Sequence, residues 1–186
     1  MADQGSEGLM SPFLRSQRMA AARPYLRGRV LDVGCGTGAL TRYVPKELYM
    51  GFDPDPESIL LARTNHPGYR FDTSMPFEQC GFDTIASLAV IEHIADRVEF
   101  IRGLRLQLRN GPASMIVLTT PHQSMEWIHG AGAKLGLFSR QANEEHEELL
   151  DERALRSLAD QAECQLIKYK QFLFGANQLV ILATRK

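Results

Sequence analysis

Gly34, Gly36 and Gly38 alternate with single residues directly behind the apolar run Val30-Leu31-Asp32-Val33. Alternating glycines let the backbone take positive φ and come within contact of a bound molecule that any Cβ would hold off. The spacing is that of a cofactor loop. Carboxylates surround it: Asp32 inside the apolar run, Asp53 19 residues beyond Gly34, and Asp72 after a later apolar stretch. Two acceptor oxygens on one side chain suit an ammonium group or a pair of hydroxyls. Glu92-His93 follows another apolar run, and His122, His129 and His146 come later. Imidazole is the side chain best matched to moving a proton near neutral pH. His66, within His-Pro-Gly, reads as a solvated turn residue.

The elements that must position these groups alternate along the chain. Ser11-Pro12 opens a helix, with Ser as N-cap and Pro where a missing N–H costs nothing; Leu14, Ala21 and Tyr25 share one face, and Pro24 and Gly28 end it. Strands are predicted over 30–33, 48–52, 69–71, 82–89 and 114–119. Helices are predicted from Leu40 to Val44, from Asp55-Pro56 through Ala62, and from Asp96 through Leu108 to Asn110-Gly111. Asp151 caps a last helix carrying Leu155, Leu158, Ala159 and Ala162, and strands over 165–174 and 178–184 close a hairpin through Gly175-Ala176-Asn177. Repeated β-α alternation implies a doubly wound α/β sheet, whose ligands bind outside the carboxyl ends of its strands.

A chain of 186 residues, 44% of them hydrophobic, is expected to form a single domain over 1–186, with 1–10 disordered and 122–148 inserted as a lid. Its net charge of -1 offers no general attraction for phosphate backbones, so nucleic acid is not an expected partner. No run approaches membrane-spanning length and no basic, apolar leader pattern precedes the domain, which favours a cytoplasmic location. Three widely spaced cysteines, Cys35, Cys80 and Cys164, suggest neither a disulfide framework nor a zinc site.

Gly34-x-Gly36-x-x-Ala39 with Asp53 also satisfies the dinucleotide fingerprint, so the loop alone leaves a nicotinamide cofactor open. Two features separate the readings. Asp32 beside the loop repels pyrophosphate but suits an amino acid's ammonium, and the chain ends in a hairpin instead of a second mononucleotide half.

Val30 to Gly38, Asp53, Asp72, Phe82-Asp83 and Val90-Ile91-Glu92-His93 together resemble the class I S-adenosylmethionine-dependent methyltransferases, of the bacterial small-molecule type. The resemblance implies a Rossmann-like seven-stranded sheet of order 3-2-1-4-5-7-6 with strand 7 antiparallel. It implies that Asp32 holds the methionine ammonium while Gly34 and Gly36 let the backbone pass under the amino-acid part. Asp53 would accept the ribose hydroxyls, Asp72 the adenine amino group with the Thr73 N–H near a ring nitrogen, and Leu88 would offer its backbone carbonyl to the ammonium. His93 and His146 are the candidates for proton removal or acceptor positioning. Some relatives bind a divalent ion through Glu-x-x-Glu-His, but Ala89 stands where the first Glu would be, so no metal is expected.

The function so implied is methyl transfer from S-adenosylmethionine to a small-molecule acceptor, on oxygen. Trp127, Ile128, Leu135, Leu137 and Phe138 of the lid would wall its pocket. The rival readings are a non-catalytic scaffold that keeps the fold and a nicotinamide-dependent oxidoreductase.

Overall fold

The computed structural model describes residues 11–75, 81–122 and 150–185. Strands β1 (Val30–Val33), β2 (Tyr49–Phe52), β3 (Arg70–Asp72), β4 (Thr84–Leu88), β5 (Met115–Pro121), β6 (Cys164–Phe172) and β7 (Asn177–Thr184) form one sheet. Its order is β3-β2-β1-β4-β5-β7-β6. β1 to β5 run parallel, and β7 runs antiparallel to both β5 and β6. This is the predicted sheet, with the terminal hairpin supplying its antiparallel strand.

Among the described residues, four helices cover the two faces: α1 (Ser11–Ala22), α2 (Pro56–Asn65), α3 (Arg97–Gln107) and α4 (Glu152–Gln161). Ile101 and Leu104 of α3 and Leu155 and Ala159 of α4 bury against Leu31, Ile85, Ile116, Leu118, Val180 and Leu182 on one face. On the other, Met19 of α1 and Ile59 and Ala62 of α2 pack with Val30, Tyr49 and Ala86, while Ala22 reaches Val117, Leu179 and Ile181. β1, β4 and most of β5 are buried on both faces, which is why they read as continuous apolar runs.

Carboxylates start the helices as expected. Asp55 accepts from the Glu57 and Ser58 N–H groups, Asp96 from the Glu99 N–H and Asp151 from the Ala154 N–H. Each satisfies amides that the first turn leaves without intrahelical partners.

Several expectations are corrected. The segment after the glycine loop forms only a 3₁₀ turn, Ala39–Tyr43, because Pro45 leaves no room for the register of a full helix. α1 buries Met19 and Ala22 instead of Leu14 and Ala21. β5 runs on to Pro121, which sits opposite Asn177 and has no N–H to lose from the ladder. The hairpin turns earlier than predicted, with Leu173, Phe174 and Gly175 all at positive φ. His66 is half-buried: its Nδ1 lies 3.1 Å from the Thr41 hydroxyl and its ring packs beside Tyr69 and Phe71.

Gly51 shows how closely the α2 face is filled. A Cβ there would stand 2.7 Å from the Phe71 ring and 2.9 Å from Cys35 Sγ. Gly51→Ala is therefore expected to destabilise the protein by ~1–3 kcal/mol, the usual range for overpacking, as read from its urea midpoint.

Candidate functional site

β1 and β4 end side by side at the middle of the sheet, and the glycine loop leaves β1 at that edge. The N–H groups of Gly34 and Cys35 both donate to the Phe52 carbonyl, tying the loop to the end of β2. Gly34 has φ 75°, and a Cβ on it would meet Val90 Cγ2 at 2.4 Å, so the loop and the segment after β4 approach as only glycine permits. Gly36, at φ 51°, is different: a Cβ built there has nothing within 4 Å among the described residues. Among those residues, the loop's crest thus faces open space.

Asp53 follows β2 and is half-buried. Its Oδ2 accepts from the Gly36 N–H at 2.8 Å and its Oδ1 from the Asp55 N–H at 3.0 Å. A carboxylate has about four lone-pair sites, so each oxygen keeps acceptor capacity for a ligand hydroxyl. Asp72 ends β3; its carbonyl takes the Asp53 N–H and its Oδ1 takes the Ser74 N–H. Thr73 beside it is exposed and Leu88, at the end of β4, is half-buried. Asp32, Gly34, Gly36, Asp53, Asp72, Thr73 and Leu88 therefore lie at or just beyond the carboxyl ends of four adjacent strands.

Asp32 is the unusual member. It is 3% exposed, in register with Gly51 on one side and Ala86 on the other. The Tyr49 hydroxyl donates to its Oδ2 at 2.7 Å. Burial pushes the carboxyl up to about 7; the Tyr49 hydrogen bond opposes that rise and the Asp53 charge adds to it.

After β4 the backbone turns sharply at Ala89, φ 59°, whose N–H donates to the Thr119 carbonyl. The 3₁₀ turn Ile91–His93 that follows buries Glu92 and leaves His93 exposed. Glu92, which the sequence offers only as the partner of His93 behind β4, is thus the buried member of the pair. Its Oε2 is buried with no hydrogen-bond partner among the described residues, and burial raises its carboxyl while the nearby Arg18 charge of α1 lowers it. Arg18 Nε in turn donates to Asn177 Oδ1 at the start of β7. The signal available beforehand was the apolar Val90-Ile91 in front of it. His146 and the lid residues Trp127, Ile128, Leu135, Leu137 and Phe138 lie outside the described residues, as do 1–10 and Cys80.

No three His, Cys, Asp or Glu side chains among the described residues gather as a metal site. Two open clefts lie farther out. One, about 440 Å³, is lined by Thr37, Thr41, Arg42 and His66 among others, and one, about 510 Å³, by Arg63, Arg70 and Asp72 among others. Neither takes in Gly34, Gly36 or Asp53.

The arrangement can hold a molecule carrying an ammonium group and vicinal hydroxyls. The buried carboxylate lies beneath the loop, the crest has free space, and a strand-end carboxylate stands beside it. S-adenosylmethionine fits these residues.

A family described as "Methyltransferase domain" matches residues 9–169. The ubiquinone biosynthesis O-methyltransferase of Rhizobium etli is 31% identical over 116 residues, covering 57% of this chain and 46% of that protein. That of Agrobacterium fabrum is 33% identical over 101 residues, covering 49% and 40%. The chain spans about half the length of the curated relatives it matches. Among solved structures, the PH0226 protein of Pyrococcus horikoshii superposes with a TM-score of 0.73 at 15% identity, over 98% of this chain and 94% of that one. The magnesium protoporphyrin IX methyltransferase of Synechocystis, with bound S-adenosylhomocysteine, gives 0.69 at 15% identity, over 98% and 90%. At such identity these two establish the fold alone.

Proposed function

Because the chain belongs to the methyltransferase-domain family, we propose that it binds S-adenosylmethionine across the carboxyl edge of the sheet and methylates a hydroxyl of a small molecule. The observation that carries this reading is the glycine loop closed onto Asp53 through the Gly36 N–H, with Asp32 buried next to it. Relatives named for O-methylation in ubiquinone biosynthesis support oxygen as the accepting atom and a small molecule as its bearer. A cytoplasmic setting belongs to the same reading, supported by the free thiols of buried Cys35 and Cys164. No helix among the described residues is long and apolar enough to cross a membrane.

Bound there, the cofactor would supply a methyl group already activated on a sulfonium. The protein's part is alignment and exclusion of water. Asp32 and the Leu88 carbonyl would hold the ammonium, Gly34 and Gly36 would admit the amino-acid part, and Asp53 would hold the ribose. Asp72 and Thr73 would fix the adenine. Such alignment can supply on the order of 7 kcal/mol or more of barrier reduction. His93, beside the end of β4, and His146 would take the acceptor's proton or orient the acceptor.

Incubation with methyl-labelled S-adenosylmethionine and 3,4-dihydroxybenzoate as a probe acceptor tests the reading. Labelled methyl ether is the expected product. His93→Ala is expected to lower its rate by about 10²-fold, the lower end for a lost general base, with the S-adenosylhomocysteine dissociation constant unchanged. Equal rates for His93→Ala and wild type would remove His93 from the chemistry. Binding of the cofactor without transfer to this or any hydroxylated aromatic would favour the scaffold reading.

A further inference from the structure

Tyr49 opens β2 opposite Val30, two residues before the Gly51 that pairs with Asp32. Residues two apart on a strand share a face, so Tyr49 is the diagonal neighbour of Asp32 on the side covered by α1 and α2. Gly51 has no side chain to fill the space between them, and the Tyr49 hydroxyl reaches Asp32 Oδ2. The ring is held from two sides: Tyr69 packs edge-on at 5.5 Å and Phe71 at 5.6 Å. At 2% exposed, Tyr49 is among the largest fully buried side chains of the protein. A buried hydroxyl fixed by neighbouring rings cannot swing to another acceptor, so it presents its proton to one place. That place is the carboxyl oxygen of the residue expected to meet the cofactor's amino group.

We propose that Tyr49 is a positioning residue for the cofactor: its hydroxyl holds the Asp32 carboxyl in the orientation that meets a positively charged amino group and favours its ionised form. The inference rests on the reading that Asp32 binds S-adenosylmethionine. None of the other ionisable groups facing Asp32 among the described residues favours its charge. Asp53, just after β2, repels it, and the Cys35 thiol of the glycine loop stays protonated and neutral because burial and these two carboxylates push it up. The strand neighbours Gly51 and Ala86 carry no charge. Tyr49 is thus the side-chain donor among the described residues that favours the ionised form. Burial and the Asp32 charge also push its own phenol well above the usual range, so it remains a donor throughout.

The test is calorimetric titration with S-adenosylhomocysteine, from pH 5.5 to 8.5, of wild type and Tyr49→Phe. For wild type, affinity should rise with pH and flatten once Asp32 is ionised. For Tyr49→Phe, affinity at pH 7 should fall by about tenfold, as for one lost hydrogen bond to a charged group, and the flattening should move up by about one pH unit, so that binding recovers at pH 8.5. A wild-type profile in the variant would overturn the proposal. So would weaker binding with an unshifted profile, which marks a merely structural ring. Should the variant not fold, the wild-type sequence carrying fluorotyrosine, whose phenol is a stronger donor, should flatten at lower pH than the ordinary protein, and an unmoved profile would overturn the proposal. Absence of wild-type binding at every pH would instead remove the cofactor reading on which the proposal stands.

Discussion

Asp32→Asn is expected to make the protein more stable above neutral pH while abolishing measurable binding of S-adenosylhomocysteine. Asp32 titrates near 7 in the folded chain because it is buried, against an ordinary value of 3.8. A carboxyl raised on folding binds its proton more tightly in the native state, so its stabilising contribution is complete below about pH 4 and is lost as pH rises through about 7. Asparagine keeps the shape and an oxygen for the Tyr49 hydroxyl, and it never ionises. The two proteins should therefore match in stability only near pH 4 and separate progressively up to about pH 7, the variant gaining on the order of 4 kcal/mol, or roughly 10 °C, by pH 8. Binding moves the other way, because a neutral amide cannot offset the buried ammonium. A variant that is less stable at pH 8, or that binds as wild type does, would show that Asp32 is a packing residue.

Asp53→Ala is expected to weaken S-adenosylhomocysteine binding by more than the ~1–3 kcal/mol of lost charge-assisted hydrogen bonds to the ribose. The carboxylate also accepts the Gly36 and Asp55 N–H groups, so its removal releases the crest of the glycine loop as well as the ligand. Asp53→Asn keeps one oxygen for one of these donors and should fall between the two, with a dissociation constant raised roughly tenfold. Calorimetry on the three proteins orders them. Alanine indistinguishable from wild type would take Asp53 out of the site and leave it as the tie between loop and α2 alone.

The sheet was legible in the sequence because its parts are locally signalled. β1 and β4 are apolar on both faces, the glycines mark the turn after β1, and Asp55, Asp96 and Asp151 cap helices with partners two or three residues away. The strand-end acids Asp53 and Asp72 were legible for the same reason, as each closes a run of alternating structure. What the sequence hid depends on contacts far apart in the chain. The bond from Tyr49 to Asp32 joins diagonal positions on two strands, and nothing in Leu48-Tyr49-Met50 distinguishes that tyrosine from a core aromatic. Glu92 lies under Arg18, 74 residues earlier, so its burial had no local mark. The left-handed Ala89 that directs Glu92 inward carries a Cβ where a glycine would have announced the turn.

The most direct measurement of the central claim is calorimetric titration of the purified protein with S-adenosylhomocysteine, and with NADH in a separate run. Micromolar binding of the first, lost in Asp32→Asn, and no binding of the second are expected. Binding of NADH with none of S-adenosylhomocysteine would contradict it and make the glycine loop a dinucleotide site.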